Sequence, residues 1–459
     1  MMPSSSPTPD HSTAGQGASS PEKTTPGSNG VSAFTATAIV VANMVGVGVF
    51  TSLGFQVGDI PSGFAIMLLW IVGGVAALCG ALSYAELAAA LPRSGGEYHF
   101  LSRIYHPSVG FLAGWISATV GFAAPVALLA IAFGDYFRGA FPGVHALPLA
   151  LSVGILWLVT LAHLRGLRQG SAFQNVWTCA NIALIVALIA AGFASGKAEP
   201  VSFMPRATDW HLVASAPFAV SLVWVMYSYS GWNASTYIVN EIREPQRNVP
   251  RSVFFGTLLV LALYVGLNAM FLHTTPLHKL AGKVEVALVA GQHVFGPERG
   301  RIVGAFICVG LVASISAMTW IGPRVMATMG EDFPMLRFFS RKTANGIPAV
   351  AILFQAAIAS VLMLTSSFRT VANYTMFSLT ACAFLTVLGV IVLRVRQPAL
   401  SRPYRTPGYP VTPLIFLAVN AWMLFHLARS QPKESLASLG TMFAGLIVYF
   451  LSPKKNPTA

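Results

Sequence analysis

The chain has 459 residues, of which 55% are hydrophobic and only 9% charged, whereas soluble domains carry roughly 25% charged residues. That balance excludes an ordinary water-soluble domain and requires lipid as the main solvent. The net charge of +13 would suit a nucleic-acid partner only if it were gathered on one folded face with a recognition element; it is instead scattered through the links between apolar runs, so no nucleic acid is expected.

In chain order, residues 1–30 are rich in Ser, Pro, Thr and Gly and predict a disordered cytoplasmic tail. They lack the basic start and apolar core of a cleaved leader, so the first apolar run is expected to stay as a span. Twelve runs follow: Val31–Leu53, Gly63–Leu91, Gly110–Phe133, Leu147–Leu164, Phe173–Phe193, Phe218–Val239, Val253–Leu272, Ile302–Ile321, Ala349–Leu364, Val371–Leu393, Pro413–Leu427 and Leu436–Leu451. They predict an all-α integral membrane protein of 12 transmembrane helices. The ninth, eleventh and twelfth runs are short and are expected to recruit flanking residues or tilt less. Cys79, Cys179, Cys308 and Cys382 fall within these runs without metal or disulfide spacing, and are expected to be small buried apolar side chains.

Orientation follows from the Lys and Arg in alternate loops. With the N-terminus inside, 18 of the 28 Lys and Arg fall on the inner side, Lys23, Arg168, Lys454 and Lys455 among them, and 10 on the outer. Both termini are therefore expected in the cytoplasm, with 453–459 a second tail, in a multi-pass protein of the plasma (inner) membrane. The outer loop His273–Arg301 reads as partly helical around Val284–Val294, a candidate cap over an outer vestibule.

The first span carries Gly46-Val47-Gly48-Val49-Phe50 near its middle, and each glycine weakens helix by about 1 kcal/mol relative to Ala. The sixth carries Ser228-Tyr229-Ser230-Gly231-Trp232-Asn233 at similar depth, where Ser and Asn compete for backbone bonds. Two breaks five spans apart predict an inverted repeat, 31–193 and 218–393, within a transporter core of 31–393, followed by helices 11 and 12 in 394–452. Unwound backbone at mid-bilayer must be buried or line a wet cavity. Freed amides at Val47 and Gly48 would meet a carboxylate at a helix N-terminus. Freed carbonyls at Met44, Tyr227 and Ser230 would accept from an ammonium group. The expected substrate site, for a zwitterionic α-amino acid, is thus Met44, Val45, Gly46, Val47, Gly48, Tyr227, Ser228, Ser230, Gly231 and Trp232; the plainer alternative is glycine packing between helices.

Five stretches carry a resemblance: GVGVF at 46–50, LSYAELAAALPRSGGEYHFL at 82–101, YSYSGWNASTYIVNEIREPQRNVPRSV at 227–253, PRVMATMGEDFP at 323–334 and RPYRTPGYP at 402–410. In them the chain resembles the amino acid, polyamine and organocation transporter superfamily, most closely its L-type amino-acid transporters and their bacterial relatives. The resemblance implies a leucine-transporter-type fold with alternating access and amino-acid recognition at breaks in helices 1 and 6. It also implies an aromatic lid at Tyr227, for which a packed aromatic is the alternative. Where many sodium-independent relatives have a lysine in the fifth span, alignment places Asn181 in this chain. Either an ion sits there, with Ser316 and first-span carbonyls as ligands, or the amide bridges two bundles by hydrogen bonds. Residues 134–146 lack the cysteine that animal relatives use to bond a heavy chain, so no disulfide-linked heavy subunit is expected. The amino-acid substrate and membrane lipid are the expected partners of a monomer or weak homodimer.

Glu86, near the inner end of the second span, is either a proton site or a structural anchor paired with Arg93 or Arg247. Glu241, with Arg243 and Arg247, reads as part of an inner gate. No acidic side chain is expected in the pocket, which favours a neutral amino acid over a polyamine or a cationic one. No HExxH, GxSxG or facing His/Asp pair is present, so neither an enzyme nor a cofactor or metal is expected. The expected function is a permease for neutral amino acids working by sodium-independent exchange or proton-linked uptake. The alternatives are polyamine or cationic amino-acid transport, and a non-transporting sensor on the same fold.

Overall fold

The computed structural model describes residues 30–166, 171–344 and 346–452, with the backbone alone for 171–174. The expected tails, apart from Gly30, lie outside these residues, as do Lys23, Arg168, Lys454 and Lys455. The described chain is helical. In order it forms α1 (Ala33–Met44), α2 (Gly48–Gln56), α3 (Gly63–Ala90), α4 (Glu97–Ile104), α5 (Pro107–Ile116), a π-turn (Ser117–Gly121), α6 (Ala123–Ala140), α7 (Pro148–Leu164) and α8 (Ser171–Ala194). Then come α9 (Ala207–Val213), α10 (Ala216–Tyr229), a 3₁₀ segment (Ala234–Glu241), α11 (Pro245–Thr274), α12 (Leu277–Leu280), α13 (Val286–Phe295) and α14 (Pro297–Asp332). A short 3₁₀ turn (Pro334–Leu336), α15 (Arg337–Ser340), α16 (Ala349–Thr365), α17 (Phe368–Arg396), α18 (Val411–Ser430) and α19 (Pro432–Leu451) complete it.

Helix starts follow local chemistry. Ser32, Ser62, Ser215 and Ser367 accept from the amides of Thr35, Ala65, Phe218 and Thr370, satisfying donors that the first helical turn leaves open. Proline occupies the first turn of α5, α7, α11, α14 and α19, where its missing N–H costs nothing.

Each expected apolar run falls on a helix. Among the described residues nine segments are long and apolar enough to cross a membrane, or ten if α9 and the bent segment Ala216–Glu241 count as one span. The other two runs form α7 and α16, each 17 residues, about 26 Å of helix. The two last runs gain flanking residues, giving 20 in α18 and 20 in α19. Their outward faces carry exposed Leu414 and Phe425 on α18 and Leu439, Phe443, Ile447 and Phe450 on α19, as suits a multi-pass membrane protein facing lipid. Cys179 is exposed on α8 rather than buried, whereas Cys79, Cys308 and Cys382 are buried as expected.

At the centre, α1 packs on α11, α8 and α14, while α3 covers α10 and α11 and α6 lies on α14. A short parallel pairing ties the starts and ends of the two broken elements: Val31 N donates to Glu241 O (2.8 Å) and Arg243 N to Val31 O (3.0 Å). At the opposite end, α13 packs against α2 and α14, where Tyr136 Oη joins Phe50 O (2.8 Å) to Ala287 N (3.2 Å). The helix expected within His273–Arg301 is α13.

Candidate functional site

The first break is three residues long. Val45 N still reaches Val41 O (2.7 Å), Gly46 N turns back to Met44 O (2.8 Å), and α2 begins at Gly48. The amides of Val47, Gly48 and Val49 meet no acceptor among the described residues, so the start of α2 keeps the open donors that two clustered glycines predict. The carbonyls differ from expectation. Met44 O accepts from both Gly46 N and Tyr264 Oη (2.6 Å), which fills its two lone pairs, and Val45 O accepts from Ser314 Oγ (3.0 Å).

The second break follows Tyr229. Ser230 is extended (ψ 151°) and Gly231 has φ +100°, a conformation a side chain rarely adopts, after which the chain continues as 3₁₀. Tyr227 O takes both Ser230 N (3.0 Å) and Ser230 Oγ (2.7 Å). Met44 and Tyr227 are therefore not free ammonium acceptors; of the three carbonyls expected, only that of Ser230 meets no donor among the described residues.

The two breaks touch. A Cβ on Gly48 would lie 2.6 Å from Ser228 Cα, and one on Gly231 would lie 2.6 Å from Asn43 O. Only glycine permits those approaches, and Ser52 Oγ bonds Ser228 Oγ (2.9 Å) across the seam. Beside it lies a cavity of about 90 Å³ whose polar lining includes Asn43, Glu97, Ser117, Asn233, Tyr237 and Thr380. Met226, Trp232, Met318 and Phe416 supply apolar wall, and the π-turn between α5 and α6 contributes Ser117 and Gly121, a wide turn of the kind found at functional sites.

Of the ten residues expected at the site, Ser230, Gly231 and Trp232 line this cavity. Met44, Val45, Gly46, Val47, Gly48, Tyr227 and Ser228 do not; they are buried or half-buried behind it. The cavity also contains the carboxylate that the sequence reading excluded. Glu97, the first residue of α4 and 4% exposed, accepts from Tyr84 Oη (2.5 Å) and Asn233 Nδ2 (3.4 Å). No cation lies within ion-pair distance of it among the described residues. Burial pushes its carboxyl up to about 7, against the opposing pull of the Tyr84 hydrogen bond.

A second cavity, about 400 Å³, adjoins the first through Tyr237, which lines both. Its wall includes Glu241, paired with Arg324 (Nε to Oε1 2.8 Å). Arg324 thus holds Glu241, while Arg247 pairs with Glu244 and Arg93 with Asp332. Glu86 meets other partners than Arg93 or Arg247: Arg394 grips it with two bonds (2.8 and 2.6 Å), Thr406 N donates (2.7 Å) and Arg402 Nε stands 3.6 Å away. Asn181 faces Gly310 of α14, where an added Cβ would lie 2.5 Å from its Oδ1. Earlier on α8, Thr178 Oγ1 donates to Ala38 O (3.3 Å) and Asn175 Nδ2 to Thr35 Oγ1 (3.1 Å), both on the first span. Ser316 bonds His163 Nε2 (2.7 Å), and Ser314 Oγ donates to the first-span carbonyl of Val45 (3.0 Å). Among the described residues no group of His, Cys, Asp and Glu could hold a metal ion.

A family model described as "Amino acid permease" matches residues 31–451. The chain is 28% identical to the b(0,+)-type amino acid transporter 1 of Mus musculus over 90% of this chain and 85% of that protein. It is 25% identical to the Asc-type amino acid transporter 1 of Mus musculus over 90% and 79% of the two, and 27% identical to the large neutral amino acids transporter small subunit 2 of Rattus norvegicus over 90% and 78%. Nearly the whole helical bundle, both interruptions included, is thus the matched region, and the chain belongs to the amino acid permease family.

Proposed function

We propose that this permease carries neutral α-amino acids by alternating access, with the substrate held where the two broken helices meet. The observation that carries the reading is the pair of interruptions in contact beside a polar-lined cavity, with the Val47, Gly48 and Val49 amides open at the start of α2. An ammonium group suits the Ser230 carbonyl and the Asn43, Ser117 and Thr380 oxygens of the cavity wall, and the open amides at the start of α2, behind that wall in this closed arrangement, suit a carboxylate once the two breaks part. Likeness to a large neutral amino acids transporter supports a neutral side chain. Tyr227, next to the cavity-lining Met226, is the proposed lid.

The same proposal takes α7, α16 and the α9–α10 unit as spans, giving 12, with two five-span units at 31–193 and 218–393. The second cavity, at the Arg324 end, is the inner vestibule, and α13 closes the outer side. Both termini face the cytoplasm across a plasma or inner membrane. The chain works without a disulfide-linked heavy subunit and without a sodium requirement, and it carries out no enzymatic reaction. Counterflow of labelled serine or leucine in proteoliposomes, with sodium replaced by potassium, tests this. Saturable exchange that survives the replacement is expected; binding without uptake refutes transport in favour of a sensor.

A further inference from the structure

Glu97 is a buried carboxylate in a wall of the cavity, with no cation among the described residues to balance it. An isolated charge in such a place is costly enough that the group tends to take up a proton. The groups facing it are few. Tyr84 of α3 and Asn233 of the second break donate to it, and Tyr237 of the 3₁₀ segment and Cys382 of α17 stand within electrostatic reach; the phenols and the thiol are neutral near pH 7. On its own helix, His99 is pushed down to about 4 by burial and by the nearby arginines Arg93 and Arg103, so it too is uncharged. Tyr98 donates to Asp332, which Arg93 already balances.

Geometry links this group to both cavities. Asn233 Nδ2 lies 3.4 Å from Glu97 and 3.3 Å from Tyr237 Oη, and Tyr237 lines both cavities. Asn233 also sits two residues after Gly231, within the turn that closes against Asn43. A charged carboxylate holds Tyr84 and Asn233 as strong donors, whereas a protonated one holds them weakly. Its charge therefore sets how firmly the second break stays closed.

We infer that Glu97 is the proton-binding group of this permease, taking a proton from water and returning it to water through the Tyr237 side as the turn at Gly231 opens and closes. The inference rests on the proposed transport function. The step is a single proton exchange between carboxyl oxygen and water, with no other reactant.

The test uses full-length protein in proteoliposomes and labelled serine or leucine. Counterflow at equal pH on both sides tests transport itself; uptake driven by an acid-outside gradient, divided by counterflow in the same preparation, tests Glu97. For the wild type this ratio is expected to rise on imposing the gradient, and for Glu97→Gln to stay flat whatever its counterflow rate. In weakly buffered detergent, adding the amino acid should change the pH of the wild-type solution and leave that of Glu97→Gln still. Tyr84→Phe removes a donor to the charged form, so the midpoint of its pH profile should move to higher pH. Wild-type counterflow without gradient stimulation overturns the proton site and leaves transport standing. A Glu97→Gln ratio equal to wild type also overturns it, and absence of any wild-type counterflow overturns both.

Discussion

Replacing Gly231 by alanine attacks the contact on which the site is built. At φ +100° a residue with a side chain pays strain of about 1–3 kcal/mol. The new Cβ would also lie 2.6 Å from Asn43 O and 2.7 Å from Asn43 C, both backbone atoms that cannot swing aside. Overpacking of this kind costs a further 1–3 kcal/mol or so. The closed turn is thus destabilised by at least about 2 kcal/mol, more than tenfold in its population. Counterflow in proteoliposomes should fall by more than about tenfold, with retention on size exclusion showing that the bundle still forms. Gly154→Ala, exposed on α7 with nothing within 4 Å of the added methyl, is the control and should transport as wild type. Wild-type transport by Gly231→Ala would refute the claim that the breaks work in contact.

Removing Arg394 leaves the Glu86 side chain, 2% exposed, without its bidentate partner, so Arg394→Ala should lose about 3–5 kcal/mol, read as a lowered melting temperature in detergent. The Arg324–Glu241 pair is more open, at 28% and 41% side-chain exposure, and Arg324→Ala should cost no more than about 1 kcal/mol in the same assay. Ser314→Ala leaves the Val45 carbonyl without its donor, a loss of about 1–3 kcal/mol at the first break, seen as weaker binding of labelled amino acid. Glu97 has a folded-state pKa raised from 4.5 to about 7, so the folded state binds more protons and stability falls as pH rises from about 4.5 to about 7, by about 3 kcal/mol at most. Melting temperatures measured across that range should decline for the wild type and decline less for Glu97→Gln.

The helices and the two interruptions were legible in the sequence, because long apolar runs and clustered glycines act locally. What faces the cavity was not. Helix rotation decides that, and it turns Ser230, Gly231 and Trp232 inward while leaving Val45–Gly48 behind the wall. The carbonyl of Met44 is filled by Tyr264, 220 residues away, and the partner of Glu86 lies 308 residues on; no spacing in the chain announces either pair. Glu97 sits outside the apolar runs in Arg93-Ser94-Gly95-Gly96-Glu97, which reads as a loop. Positive φ at Gly95 and Gly96 folds that loop back under the bundle and delivers the carboxylate to the cavity. Asn181 was placed by alignment alone, and its Oδ1 stands beside Gly310 of α14.

The central claim is that an amino acid occupies the cavity beside the two breaks. Its most direct test is Ser230→Cys in a chain whose four native cysteines are replaced, labelled by a small thiol reagent with and without a transported amino acid. Protection that saturates at the concentration that half-saturates counterflow is the predicted result. Labelling of Ser230→Cys at the same rate with and without that amino acid would contradict the account.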